Sequence, residues 1–536
     1  MKKLLLLVVV LIQYASFSQE HAWVYLTDKE NVANAVANPL TILTQEAIDR
    51  KAAHNIPIDE RDVPVNENYI SQLKLQTGIS VMAKSKWFNA VYVIGDQTNI
   101  ENLINLDFVN FIDFADKSLN QESRAVELTN KFMVEEALVD FNYGDSQNQV
   151  EMIGVNELHF QDFTGEGITI AVLDSGFLNV DTMQGLQRLR DNGDLLGGYD
   201  FVSRTDDVFA FTGNEHGSRV LSTMAGFVQD QFVGTAPDAS YYLFRTEDVS
   251  SEMPVEEAYW VEAAERADSL GVHIINSSLG YRVFDNPNYD YIPEDMDGNT
   301  AFISKGANIA NEKGILVVNS AGNSGATTWQ SVGAPADAAG VFSIGAVDGD
   351  GNYAAFSSQG SAVQPTQKPD VVAQGQAASV INSSDSIISN NGTSFSSPII
   401  AGAIASLWQA LPNASHEEIK QFVRMSASQF NTPDFFLGYG IPNLQLALDI
   451  GLSVPEETFV QFKVFPNPVS TILHIQIPQS TEPTHLKVYN VLGKVVLEKA
   501  IHQSETQLDM SSMASGIYIM SFEATDASKQ FKLIKS

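Results

Sequence analysis

Ile168-Thr169-Ile170-Ala171-Val172-Leu173-Asp174-Ser175-Gly176 is the stretch on which the fold turns. Its first six residues are apolar except for Thr169, and the run stops at a carboxylate followed by a turn pair. A strand that is apolar on both faces is covered on both faces, as in a parallel sheet flanked by helices. The pattern returns at Val272-His273-Ile274-Ile275-Asn276 and at Ile315-Leu316-Val317-Val318. Beside these runs lie segments of helical periodicity, 255–270 and 307–313. Such strands alternating with helices predict an α/β fold with a doubly wound, mostly parallel sheet over about 150–450. In open sheets of this kind ligands sit beyond the carboxyl ends of the strands. Asp174 falls at such an end.

Two more segments bring chemistry to the same edge. His216-Gly217-Ser218 opens a helical run. Asn391-Gly392-Thr393-Ser394-Phe395-Ser396-Ser397-Pro398 precedes an apolar helix expected over 399–411, with Pro398 in its first turn. The residue types fit one reaction. A serine hydroxyl is a weak nucleophile and needs an adjacent base. A neutral imidazole takes its proton and returns it to the leaving amine. A carboxylate fixes the imidazole's tautomer and stabilises the imidazolium. A fourth segment, Ser320-Ala321-Gly322-Asn323-Ser324-Gly325, follows the strand at 315–318. The Asn323 amide there is a candidate donor to an oxyanion, with the Ser394 backbone N–H as the second.

The bulk numbers exclude several alternatives. A chain of 536 residues calls for two to four domains. A net charge of −34 repels phosphate backbones, which argues against nucleic-acid binding. The bland reading of that acidity is solubility. Calcium is the sharper one, but no motif supports it: Asp295-Met296-Asp297-Gly298-Asn299 lacks the distal Glu of an EF-hand and reads as a surface loop. With no cysteine there is no thiol catalysis, disulfide or thiolate-bound zinc. No His-Glu-x-x-His is present, so metalloprotease zinc chemistry is not supported and no metal-ligating residue is assigned, structural calcium staying an open alternative. No Gly-x-Ser-x-Gly elbow surrounds Ser394, which counts against an esterase of the α/β-hydrolase type. His273 reads as a core histidine, and the remaining seven outside the motif as surface or packing residues.

Four zones surround or flank the α/β region. Residues 1–18 combine Lys2-Lys3, an apolar run over 4–12 and small residues at Ser16 and Ser18, the marks of a cleaved signal peptide. Residues 19–120 mix strands, such as Trp23-Val24-Tyr25-Leu26 and Ala90-Val91-Tyr92-Val93-Ile94, with a short helix over 100–106, and read as a small α/β unit. Residues 121–150 are polar and weakly patterned and read as an exposed linker. Residues 462–536 hold seven Lys against six Asp and Glu, unlike the acidic remainder, and their short strands and turns predict a small antiparallel β-sandwich.

The order Asp174, His216, Ser394 and the sequences around them resemble the subtilase family of serine proteases. The resemblance covers about 300 residues. It implies that Asp174, His216 and Ser394 are a catalytic triad and that Asn323 lines the oxyanion hole. It places Ser278, Leu279 and Gly280 as the strand that pairs with substrate backbone, with Ala321 and Gly322 across from them. Arg219 after His216, and Phe395-Ser396-Ser397 after Ser394, depart from the family's commoner residues and bear on substrate preference. Residues 19–120 resemble a subtilase propeptide, which implies an inhibitor and folding aid for its own protease. Residues 462–536 resemble the type IX secretion sorting domain, through Phe465-Pro466-Asn467-Pro468-Val469 and Val488-Tyr489-Asn490-Val491-Leu492-Gly493-Lys494 among others. This implies export through the periplasm to the surface or the medium. The expected partners are therefore protein or peptide substrates, the type IX machinery and the chain's own propeptide, with no organic cofactor. The rival expectation is a surface binding protein built on an inactive protease scaffold.

Overall fold

The computed structural model describes residues 19–120, 141–453 and most of the strand-forming residues of 463–535. The signal segment and residues 121–140 of the expected linker lie outside the described residues. The chain divides into two units, 1–451 and 452–536.

In the first unit, residues 19–120 form an antiparallel sheet of β1 (Gln19–Leu26), β2 (Ile79–Ser85), β3 (Ala90–Asp96) and β4 (Val109–Phe114), in the order β2-β3-β1-β4. Two helices matter below: α1 (Gln45–Ala53), capped by Thr44, and α2 (Glu67–Lys74). Neighbouring residues of a strand face opposite ways, and this sheet is apolar on both sides. Ala22, Val24, Leu26, Val91 and Val93 pack with Ile70 and Leu73 of α2. Trp23, Ala90 and Tyr92 point the other way, into the core that holds Trp260, Val261 and Phe302 of the larger domain. The Trp23 ring stacks on Phe302 at 4.4 Å. Burying aromatic side chains of this size stabilises by about 1.5–3 kcal/mol each.

The larger domain is built on seven strands, all parallel to their neighbours. They are β5 (Thr169–Asp174), β6 (Leu195–Asp200), β7 (Ser240–Arg245), β8 (Ile274–Ser277), β9 (Leu316–Ser320), β10 (Val341–Val347) and β11 (Val371–Gln374). Their order is β11-β10-β9-β8-β5-β7-β6. Every residue of β8, β9, β10 and β11 is buried, as expected for strands covered on both faces. Four helices set up the site: α3 (His216–Ala225), α4 (Val255–Ser269), α5 (Phe302–Glu312) and α6 (Thr393–Ala410). The apolar α6 packs against α3 and along β8 to β11.

Two expectations change here. Tyr143, Ser146, Gln149 and Val150, expected in an exposed linker, are buried. The Tyr143 hydroxyl meets His159 Nδ1 at 2.9 Å, and Ser146 Oγ donates to the Val233 carbonyl at 2.9 Å. The polar composition of 143–150 serves buried hydrogen bonds, which is why it looks like a surface from sequence. Helix α6 also starts at Thr393, six residues earlier than expected, so that Ser394 is in its first turn and Pro398 is inside the helix.

The second unit is a β-sandwich. Lys463–Phe465, Ile472–Gln476 and Glu505–Asp509 make a three-stranded antiparallel sheet. Val495–Ile501, Thr484–Asn490, Gly516–Glu523 and Ser528–Lys535 make a four-stranded one. Leu473, Ile475 and Leu508 of the first share one core with Leu486, Val488, Met520 and Leu533 of the second.

Candidate active site

Asp174 is the last residue of β5 and is wholly excluded from water. Its Oδ1 accepts the Ser175 N–H at 2.7 Å and the Ser175 hydroxyl at 3.1 Å, and lies 2.8 Å from His216 Nδ1. Its Oδ2 is buried with no hydrogen-bond partner. His216 begins α3, where its N–H is held by Asn214 Oδ1 at 2.7 Å. The next residue is a glycine for a steric reason. A Cβ at Gly217 would stand 2.6 Å from the Gly176 carbonyl and 3.0 Å from the Asp174 Cβ. Any larger residue would push the imidazole off the carboxylate.

About a third of the His216 side chain is open to solvent. Burial disfavours its charged form, but the attraction of Asp174 and their hydrogen bond outweigh that and raise its pKa above the ordinary value. Arg219, one turn along α3, pulls the other way.

Ser394 sits at the second position of α6, where a backbone N–H has no acceptor within its own helix. The preceding Gly392 has φ of +148°, a conformation that favours glycine, and it turns the chain from the β-hairpin at 378–390 into the helix. Pro398 lies four residues after Ser394 and has no N–H to give to the Ser394 carbonyl. The Ser278 hydroxyl donates to that carbonyl instead, at 3.0 Å. This bond ties the end of β8, where Ser278-Leu279-Gly280 begin, directly to the serine. The His216 ring centre is 5.9 Å from that of Phe395, the residue after Ser394.

Asn323 is exposed, yet fixed at one end. Its Oδ1 accepts the Thr393 N–H at 2.9 Å and the Thr393 hydroxyl at 3.0 Å. The amide nitrogen is therefore the end left to donate, beside the first turn of α6. Gly322 N–H donates to Thr393 Oγ1 at 3.2 Å, and Ala321 N–H to the Ile344 carbonyl at 2.8 Å. The four motifs thus meet as two linked pairs, Asp174 with His216 and Asn323 with the Ser394 turn, the second joined to Ser278.

The chain belongs to the subtilase family. The family's model matches residues 165–440. The Peptidase S8 propeptide domain of Bacteroidota matches 21–131, and the secretion system C-terminal sorting domain matches 463–536. Subtilisin DY of Bacillus licheniformis is 30% identical over 301 residues, covering 56% of this chain and 97% of its own. Subtilisin Savinase of Lederbergia lenta is 30% identical over 293 residues, covering 54% and 93%. Among solved structures, MycP1 with its N-terminal propeptide removed is 22% identical, with a TM-score of 0.44, over 56% of this chain and 96% of that one. The chain is accordingly a serine protease, and its sorting domain directs it to secretion or the cell surface. Among the described residues, no helix is long and apolar enough to cross a membrane, and no three His, Cys, Asp or Glu side chains gather as a metal site.

A candidate positioning residue of this subtilase lies outside every one of these motifs. Arg245 ends β7 and is the register partner of both Asp174 and Asp200. Its side chain, 2% exposed, donates to Asp200 Oδ2 at 2.9 Å, Ser203 Oγ at 3.2 Å and the Ser175 carbonyl at 3.3 Å. Its guanidinium lies 3.5 Å from the Phe211 ring centre. Arg245 therefore pins both the Asp174-Ser175 turn and the loop that delivers Asn214 and His216. The signal was available: a strand ending in Arg, beside one ending in a buried Asp.

Proposed function

We propose that the protein is an endopeptidase that cleaves peptide bonds through an acyl-enzyme on Ser394. His216 takes the Ser394 proton as the hydroxyl attacks the carbonyl carbon, then returns it to the leaving amine. Asp174 holds His216 Nδ1–H, so that Nε2 faces the serine as a base, and stabilises the imidazolium that forms. The Ser394 N–H and the Asn323 amide receive the oxyanion. Water then repeats the sequence and frees the acid. Substrate backbone runs beside Ser278-Leu279-Gly280, with Ala321-Gly322 opposite. No organic cofactor or metal enters these steps. The reading rests on one observation above all: a buried carboxylate is joined at 2.8 Å to an imidazole about a third open to solvent, whose ring centre is 5.9 Å from that of Phe395, the residue after Ser394. Casein hydrolysis tests it. Purified Ser394→Ala protein should be inactive while folding normally, and undiminished hydrolysis would refute the assignment.

Residues 19–120 serve as the inhibitory propeptide, released by a cut between them and the protease. The expected window of 121–150 narrows to 121–142, because the residues from 143 onward are packed. In a host lacking other proteases, Ser394→Ala should stay uncut, and equally efficient cutting of that variant would assign the processing to another enzyme. The sorting domain acts as the export address. Truncation before Val460 should leave active protease in the periplasm, and normal amounts at the surface or in the medium would rule that role out.

A further inference from the structure

Two patches of the contact between the N-terminal domain and the protease differ in kind. One is the sheet-on-helix contact, where Glu265 of α4 accepts the Lys86 N–H at 2.9 Å and the Trp87 N–H at 3.0 Å. The other is built from α1 and the turn at 59–62, and it is electrostatic. Asp268 near the end of α4 is 0% exposed and accepts from Arg50 Nη2 at 2.5 Å and from Lys51 Nζ at 2.8 Å. Lys313, after α5 and 1% exposed, donates back across the interface to Asp62 at 2.8 Å and Asp59 at 3.0 Å. Lys51 also stands 3.3 Å from Asp62. Asp268, Lys51, Asp62 and Lys313 thus form a buried row of alternating charge, with two members from each domain.

Such a row adds little net affinity, because stripping water from four charges roughly offsets their attraction. Its effect is discrimination. A partner that omits one member leaves a bare charge in a dry interface, which is strongly unfavourable. We propose that α1 and the 59–62 turn are a charge-keyed recognition arm. It matches this N-terminal domain to this protease domain, so that only a segment complementary at every charge stays docked after the chain between them is cut. The protease side of the key, Asp268 and Lys313, accepts only a segment that presents a cation and an acid in the complementary arrangement. The proposal concerns docking, and stands whether or not the protease cuts itself.

The test uses the full-length Ser394→Ala chain with a recognition sequence for a site-specific protease inserted between residues 123 and 124. The chain is immobilised by its C-terminus and cut, and the departure rate of the N-terminal fragment is measured. Asp268→Asn, which strands Arg50 and Lys51, should speed departure by roughly 10²–10³-fold. Lys51→Met should have an effect of the same order without touching the protease sequence, so it carries the test should Asp268→Asn misfold. Lys51→Met with Asp268→Asn should lose much less than the two single changes combined, because the Lys51–Asp268 pair is removed once and not twice. Glu67→Gln, which removes an exposed pair within the N-terminal domain, should change nothing. Release at the parent rate in both single variants, or a double variant equal to their sum, would overturn the proposal.

Discussion

Asp174 and Asp268 are both wholly buried in the same domain, and their surroundings differ in kind. Asp174 is paired with His216 and has an Oδ2 with no hydrogen bond. Asp268 is held by two full cations, which depress its pKa far below the carboxylate range against the effect of burial. Asp174 sits at the carboxyl end of β5, where the cleft opens. Asp268 sits where α4 has returned to the amino ends of the strands, a few residues before β8. A buried acid that must respond to a changing charge is left with capacity to spare. A buried acid that must recognise a fixed partner is saturated. The arm at Asp268 therefore lies at the other end of the sheet from the proposed active site, and its proposed part is to select the N-terminal domain, not to fill that site.

The largest expected effect is at Asp174. Asp174→Asn should lower kcat roughly 10⁴-fold through the wrong imidazole tautomer, while leaving fragment departure in the docking assay unchanged. Asp268→Asn should do the reverse, with full kcat once the N-terminal domain is gone. Equal effects of both changes on kcat would erase the distinction. Asn323→Ala comes next, with kcat lower by roughly 10²–10³-fold and little change in KM. Arg245→Leu should cost on the order of 10²-fold in kcat by loosening the Asp174 turn and the loop before His216. Arg245→Lys should recover part of that loss, and the recovery distinguishes positioning from mere packing.

The pH profile sharpens the comparison further. In the proposed mechanism catalysis needs neutral His216, whose pKa is raised above its ordinary value by Asp174. kcat/KM should therefore rise with pH through a midpoint above the ordinary imidazole value, and Asp174→Asn should move that midpoint down. The same raised pKa means that charged His216 stabilises the fold below its unfolded pKa, and that this contribution fades as pH rises through the folded one. The smallest effect expected is at the partly exposed Arg204–Glu262 pair, where Arg204→Ala should cost under about 1 kcal/mol in thermal unfolding.

The catalytic half of this comparison was legible in the sequence and the docking half was not. Asp174, His216, Asn323 and Ser394 each stand next to glycine or at an element's end, because close approach and helix starts constrain their neighbours. Those local constraints leave short motifs. The strands were legible for a similar reason, since burial on both faces leaves an unbroken apolar run. Arg50, Lys51, Asp62, Asp268 and Lys313 are joined across more than 200 positions, and nothing beside any one of them announces a partner. In a chain with 65 acidic residues, Asp268 reads as one more solvated charge. Arg245 was hidden in the same way, by a pairing that exists only once β5, β6 and β7 lie side by side. Tyr143 and Ser146 misled because polar residues that satisfy buried carbonyls look, in sequence, like polar residues facing water. The start of α6 was missed because Pro398 reads as a first-turn residue. The Ser278 hydroxyl that satisfies the freed carbonyl comes from 116 residues away.

The most direct test of the account is covalent. The secreted protein, freed of residues 19–120, is treated with a fluorophosphonate, and the site of phosphonylation is mapped by mass spectrometry. The account predicts a single adduct on Ser394, absent in Ser394→Ala and formed far more slowly in His216→Ala. An unlabelled Ser394 in protein that still hydrolyses casein would contradict it.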